Sequence, residues 1–493
     1  MLILVVVAAG ALRFWRLGAQ SLWFDEFFTT RVVSKGKLLS NIAGKEGTPP
    51  LYFIAVWGWT KLFGDTDTAF RSLSAIVGTA TVPLAYAAAW ELARSRRVAR
   101  VAAVLVAVNP LFVWFSQEAR AYSLFAFVGT LSLLFCVRAR TRGRTHDLVL
   151  WGVASAAALS THYFAIFLVL PEAVWLLLSH RRRWRRVLVG CIPLAVAGPF
   201  LYLFFSAQHA ADNQDWITKT ALGFRIAEAG RQSLIGPGGP DDRLWALGAV
   251  LVLVAAALVV VRGDRRERSA FAVMVALGAT GLVLPVAGAA IGSDYFLGRN
   301  LIASLVPLAI AVAIGLGAVR AGWIGATATA GLCVLSTLIV VGVASDVDLQ
   351  KADWRSLAAL LDTVPSDSAV VIDHDGHLAE PLLRYLRSAR VLRANESVRV
   401  REVDLVYYTP NRVDRCGLFQ GRACENVLFL FPTFPDVLVN RFVYSGKPLV
   451  GRFAVNRYRA GQPVPVRTEM FVRRPPQFAP VVLVRRAQPV LRR

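Results

Sequence analysis

Apolar runs follow one another from Met1 to about Val343 and then stop. Nothing else in the chain limits its fold so strongly, because runs of this kind bury their surface in a bilayer or against one another. The 493 residues are 56% hydrophobic and 18% charged, more apolar surface than a soluble protein of this size can cover. Residues 1–343 therefore read as an α-helical polytopic membrane domain. Residues 344–493 read as a separate small soluble α/β domain.

The net charge of +23 raises the question of a nucleic-acid partner, and its distribution argues against one. Much of it sits in short Arg clusters between apolar runs: Arg94–Arg100, Arg138–Arg144, Arg181–Arg186 and Arg262–Arg268. By the positive-inside rule all four face the cytoplasm, so the segments between them pair into hairpins turning outside. Met1–Leu12 is a first span, short at its start, without the basic region or cleavage site of a signal peptide. Pro49–Phe63 is brief and Trp-rich and is read as lying in the interface without crossing. With that choice parity holds for spans near 69–92, 99–115, 121–137, 147–161, 163–179, 187–206, 244–261, 270–291, 300–319 and 323–343. Including the first helix there are about 11 transmembrane helices.

The outer connections are then Arg13–Thr68, Ser116–Arg120, Thr161–Tyr163, Ala207–Arg243, Gly292–Arg299 and everything after Ala344. The soluble part alternates helical pieces (Lys351–Leu361, Pro381–Arg390) with strand-like ones (Ala369–Ile372, Val403–Tyr408, Asn426–Phe431) and a weak hairpin over Arg441–Arg459. It carries 23 Lys/Arg against 15 Asp/Glu, which attracts anionic headgroups or keeps the domain soluble. Cys416 and Cys424 lie close enough for a disulfide in an oxidising compartment. Cys136, Cys191 and Cys333 fall inside apolar runs as small core residues. No nucleotide-binding loop, zinc motif or internal repeat is present.

This topology gathers ionisable and aromatic residues on one side of the membrane: Asp25/Glu26, Lys45/Glu46, Tyr52, Asp65/Asp67/Arg71, Gln117/Glu118/Arg120/Tyr122, His162/Tyr163 and Asp294/Tyr295/Arg299. Carboxylates among aromatics at an apolar rim lose hydration, so they cap a short helix or serve chemistry. Arg and Lys suit phosphate, a carboxylate suits proton removal from a hydroxyl, and aromatic faces suit sugar rings. The bland alternatives stay open. Arg71 and Arg299 could snorkel, Glu118 could pair with Arg120, and His162 could simply shape a tight turn.

The order Trp23-x-Asp25-Glu26, Pro49-Pro50-Leu51-Tyr52, Phe63-Gly64, Arg71-Ser72-Leu73-Ser74, Asn109-Pro110, Gln117–Leu124, His162-Tyr163 resembles the GT-C glycosyltransferases. The likeness is greatest to the group of Rgt-type lipopolysaccharide core transferases, the aminoarabinose transferase and the protein O-mannosyltransferases. It covers residues 10–180 well and extends loosely to 343 through Tyr295-Phe296-x-x-Arg299-Asn300-Leu301. The tail, with its Asp353-Trp354-Arg355 opening, resembles the extracytoplasmic domains of actinobacterial members. The resemblance implies an inverting transferase of the bacterial plasma membrane that takes a sugar from a polyprenyl-phosphate donor. The acceptor would be an extracytoplasmic glycan, lipid or protein, with membrane lipids as further partners. It makes Asp25 the catalytic base with Glu26 beside it, and places Arg120 to contact the donor phosphate or shape the site; in a single displacement Arg120 and Arg299 would stabilise the departing phosphate. Lys45, Glu46, Tyr52, Arg71, Gln117, Glu118, Tyr122, His162 and Tyr163 complete the substrate-binding candidates. A divalent metal could orient Asp25 and the phosphate, although the sequence offers no dedicated ligand set. Relatives commonly carry His or Glu-Lys before Pro-Pro, where this chain has Gly47-Thr48. A transporter or flippase is the main competing class, against which stand the absence of an inverted repeat and the placing of these ionisable residues at span ends on one side rather than at mid-membrane. A scaffold built for its tail would leave the acid pair without a role.

Overall fold

The computed structural model describes residues 1–492 except 35, 46, 211–216, 364–366, 373–378, 394–395, 409–439, 447–448, 451–452, 472–480 and 487–490. Four short helices come first: α1 (Leu2–Phe14), α2 (Phe24–Ser34), α3 (Leu38–Lys45) and α4 (Leu51–Phe63). A helical bundle follows with α5 (Asp67–Ala93), α6 (Arg96–Val108), α7 (Pro110–Ser116), α8 (Tyr122–Arg142), α9 (Thr145–Thr161), α10 (Ile166–Ser179) and α11 (Trp184–Ala210). It continues through α12 (Leu222–Ile235), α13 (Asp242–Arg262), α14 (Arg265–Ala290), α15 (Leu305–Gly317) and α16 (Gly322–Ser345).

Local chemistry sets these boundaries. Thr66 Oγ1 accepts the Ala69 N–H to start α5, and Ser95 Oγ accepts the Val98 N–H to start α6. Asn109 Oδ1 accepts the N–H groups of Leu111 and Phe112 while Pro110 opens α7. The expected span 99–115 is therefore broken at Asn109-Pro110 and bent by 55°. Asp264 and Glu267 form a reciprocal capping box at the start of α14.

Among the described residues six helices are long and apolar enough to cross a membrane: α5, α8, Arg181–His209, α13, α14 and Val319–Ser345. The bent pair α6 and α7 makes a seventh if counted as one span. The other expected spans correspond to helices of 17 residues or fewer, including α1, α9, Tyr163–Ser179 and α15. Helix length thus supports six or seven crossings, and the count of eleven is not reached on this measure. The long connection 207–243 holds a helix, α12, among its described residues.

The chain divides into two compact units, one of Met1–Gly18 with Thr29–Ser345, the other of Ala19–Phe28 with Asp346–Arg493. The boundary falls inside α2, so the acid motif groups with the tail. In the second unit α17 (Trp354–Asp362) begins where Asp353 accepts the Ser356 N–H. Next come β1 (Ser368–Ile372), α18 (Ala379–Tyr385), β2 (Ala389–Val391), β3 (Glu396–Tyr408), β4 (Val443–Gly446), β5 (Leu449–Val450), β6 (Phe453–Val466), β7 (Val481–Arg485) and β8 (Leu491–Arg492). They form one mixed sheet in the order β2-β7-β1-β3-β6-β4, with β5 on β6 and β8 on β3. The expected helix Pro381–Arg390 stops at Tyr385, and Ala389–Val391 pairs antiparallel with β7 instead. There the sheet edge outweighs local helical propensity. The expected hairpin is present as β4 against β6. Asn426–Phe431, Cys416 and Cys424 lie outside the described residues.

Candidate active site

In the first unit four predicted residues come together. His162 sits in the turn between α9 and α10, with its ring stacked on Phe125 at 5.0 Å and 12°. Its Nδ1 accepts the Phe164 N–H at 3.2 Å, which fixes the ring's orientation. Tyr122, at the start of α8, has its ring 6.1 Å from the imidazole. Arg299, in the short 3-10 turn Gly298–Leu301, places its guanidinium carbon 5.9 Å from the centre of the Tyr122 ring. Burial, then the nearby Arg299 and Arg120, push the His162 pKa down to about 3, against a hydrogen bond between the imidazole and the Asn300 side chain that works the other way. The imidazole is therefore neutral at physiological pH, and the two guanidiniums beside it supply the positive charge. Arg120 Nη1 faces Thr29 Oγ1 at 3.5 Å, and Thr29 donates to Ala119 O at 2.9 Å.

The remaining candidates of this unit sit in packing positions. Gln117 Nε2 donates to the carbonyls of Leu12, Arg13 and Trp15, holding the C-terminus of α1. Arg71 is buried and donates to Leu17 O at 3.1 Å. Glu118 is fully buried. Tyr52 is buried in α4 with its ring edge-on to Phe53. Tyr163 donates to Gln208 Oε1 at 2.8 Å, and Gln208 Nε2 donates to Ile42 O and Thr48 O. Gln208 of α11 thereby joins Tyr163 to the segment before Pro49-Pro50. Lys45 ends α3, and Glu46 is outside the described residues.

In the second unit Asp25 and Glu26 occupy the first turn of α2, where the helix N-terminus favours negative charge. Glu26 is fully buried and its Oε2 accepts the Trp23 N–H at 3.2 Å, the carboxylate half of a capping box. Asp25 is half-buried one residue before it. Around this turn Ser21 Oγ donates to Ala352 O and accepts the Trp354 N–H. The Leu22 N–H is accepted by Tyr385 at 2.8 Å.

Several polar residues that periodicity did not single out are also built into the fold. Arg13 is fully buried and donates to Ser116 Oγ and to the carbonyls of Ala9, Ala107 and Val106, so it closes the C-terminus of α6. Arg225 of α12 forks onto Asp294 and donates to Phe296 O. Glu172, in the middle of α10, accepts from Ser132 and from Trp151 Nε1. Glu91 collects Arg94, Arg138 and Arg142, so two of the cytoplasm-assigned Arg clusters also neutralise one buried carboxylate. An isolated charge inside an apolar run was the signal available for Arg13, Glu91 and Glu172.

Residues 47–208 match the family model described as dolichyl-phosphate-mannose-protein mannosyltransferase. An uncharacterized protein of Aquifex aeolicus (strain VF5) is 27% identical over 181 residues, covering 35% of this chain and 36% of that relative. The match therefore spans only about a third of that relative's length. Among solved structures, ArnT from Cupriavidus metallidurans bound to undecaprenyl phosphate superposes with a TM-score of 0.52 at 13% identity. That alignment covers 92% of this chain and 97% of ArnT. At that identity the likeness establishes the fold, and with six long apolar helices it makes the chain a multi-pass membrane protein. The family match thus covers about a third of the chain, on a fold shared with ArnT.

Proposed function

We propose that this chain transfers a sugar from a polyprenyl-phosphate donor to an acceptor hydroxyl at the outer face of a bacterial plasma membrane. The observation that carries the reading is the meeting of Arg120 and Arg299 around the neutral, buried His162 and the Tyr122 ring. Two guanidiniums without added charge from the imidazole form an anion site, and a phosphate monoester or diester head suits their fork geometry. The ring faces offer stacking surface for a sugar. ArnT, whose fold this chain shares, is described with undecaprenyl phosphate bound, which supports a donor of that class.

The reaction is a single displacement with inversion. Asp25 takes the proton of the acceptor hydroxyl as its oxygen bonds to the anomeric carbon. The bond from that carbon to the phosphate oxygen breaks, and polyprenyl phosphate leaves with the electron pair. Arg120 and Arg299 stabilise the charge gathering on the leaving phosphate; losing one such donor costs on the order of 100-fold in rate. The acceptor is a glycan, lipid or protein hydroxyl. The test is to incubate the purified full chain with a panel of undecaprenyl-phosphate-linked hexoses and pentoses and measure release of undecaprenyl phosphate. One donor should be consumed by the wild type and spared by Asp25→Asn. Turnover by Asp25→Asn near the wild-type rate would remove Asp25 as the base.

A further inference from the structure

We propose that Lys351, at the entry to the soluble domain, is a positioning residue for the acid motif 325 positions earlier. This inference rests on the proposed role of Asp25. Within the second unit the Lys351 ammonium lies 4.0 Å from Glu26 Oε2 and 5.8 Å from the centre of the Trp23 ring. Both side chains of the pair are almost wholly shielded, with side-chain exposures of 5% for Lys351 and 0% for Glu26. A buried ammonium and a buried carboxylate are each costly alone and tolerable only together.

The pairing is framed by backbone bonds that leave it little freedom. The Lys351 N–H donates to Gln20 Oε1 at 3.3 Å. Ser21 bridges Ala352 and Trp354, and Tyr385 of α18 receives the Leu22 N–H. Arg355 reaches Ala19 O at 3.4 Å and lies over the Tyr385 ring. Residues 19–28 are thus fastened by residues of the soluble domain, and among those fasteners Lys351 faces Glu26 of the acid motif. Its contact is with Glu26 Oε2, the same oxygen that accepts the Trp23 N–H and closes the first turn of α2. Held there by the Trp23 N–H and the nearby Lys351 charge, Glu26 is committed to fixing the turn. The adjacent Asp25 then projects from a rigid helix start. The soluble domain contributes to turnover through this contact, with no need for Lys351 to touch substrate.

The experiment uses the full-length protein in detergent or nanodiscs and compares Lys351→Met, Lys351→Arg, Glu26→Gln and the Lys351→Met/Glu26→Gln double variant. Lys351→Met should lower kcat at least about tenfold, because it takes a cation from beside a buried carboxylate, while affinity for undecaprenyl phosphate stays within about twofold. Lys351→Arg should recover most of the rate. The double variant should lose no more than Lys351→Met alone, since two residues acting as one unit are not additive. Amide exchange at Trp23, Phe27 and Leu22 should quicken in Lys351→Met and return in Lys351→Arg. Wild-type kcat in Lys351→Met, additive losses in the double variant, or lost undecaprenyl-phosphate binding would each overturn the proposal. Amide exchange reads the fastening without activity, so it still judges Lys351 if Asp25→Asn proves active. Should Lys351→Met fail to fold, the double variant, which removes both charges of the pair, and Lys351→Arg carry the comparison.

Discussion

Arg225 and Asp294 face each other fork to fork: Nη1 donates to Oδ1 at 2.8 Å and Nη2 bonds Oδ2. The same guanidinium donates to Phe296 O at 2.6 Å and to Thr220 O at 2.9 Å, and Asp294 accepts the Phe296 N–H. Gly298 lets α12 approach this loop, since a Cβ there would sit 3.0 Å from Ala229. The arrangement fixes the segment that carries Arg299 and Asn300.

Arg225→Ala should therefore cost about 3 kcal/mol in detergent unfolding, the cost of stranding the partner of a buried pair. It should also slow turnover about tenfold or more by loosening Arg299. Arg225→Lys keeps the charge but loses the fork and should recover only part of either. Hydrogen bonds from Arg225 hold the Asp294 carboxyl below its usual range. Its contribution is thus complete above the unfolded value near pH 4 and fades only as pH falls through the folded one. Melting curves should show no Arg225-dependent change between pH 5 and 8.

His162 follows the same sign in a higher pH window. It stays neutral in the folded chain down to about pH 3 but protonates near 6.5 when unfolded. Between those values the unfolded chain binds the extra proton, so the residue's contribution is whole above about pH 6.5 and is lost as pH falls. His162→Phe preserves the stack on Phe125 and removes the titration. Its melting temperature should fall less than that of the wild type between pH 6.5 and 5. An inflection near pH 6.5 in kcat/KM that disappears in His162→Phe would show a titrating catalytic histidine instead.

What could be read from the sequence followed from period and composition. Long apolar runs located α5, α8, α11, α13, α14 and α16, and alternation located β1 and the β4–β6 pair. The side of the site near α8 was legible because Arg120, Tyr122 and His162 stand at the ends of those runs. Pairings across long separations were not. Arg225–Asp294 and Lys351–Glu26 join residues on elements that no local pattern links. α12 was passed over because Arg225, Glu228 and Arg231 made its stretch look like a polar loop. The grouping of Ala19–Phe28 with the tail is likewise set by tertiary hydrogen bonds, such as those of Ser21, and not by composition.

Gly78 packs where a Cβ would come 2.1 Å from Ser116 Oγ and 3.4 Å from Arg13 Nε. Ser116 cannot swing away freely, because its hydroxyl donates to Phe112 O at 2.6 Å. Gly78→Ala should disturb the same contact that Arg13→Met removes, the donation from Arg13 Nε to Ser116. Arg13→Met also leaves the carbonyls of Val106 and Ala107 without that donor. Its cost should reach about 2–3 kcal/mol, and Gly78→Ala should cost less. Combined, the two should be less than additive in thermal unfolding. Strict additivity would show that Gly78 and Arg13 act at separate places.

The sidedness of the site turns on α4. Its 13 residues span about 20 Å, short of a hydrocarbon core of about 30 Å. Trp57, Trp59 and Lys61 in that helix suit an interfacial position. With α4 not crossing, Asp65 lies on the same side as the acid motif, and Arg144 on the opposite side. In a chain whose five cysteines are replaced, Asp65→Cys should react with an impermeant maleimide on intact cells. Arg144→Cys should react only after permeabilisation. The reverse result would make α4 a crossing helix. It would also put Arg94–Arg100 and Arg138–Arg144 outside, against the charge rule that governs such clusters.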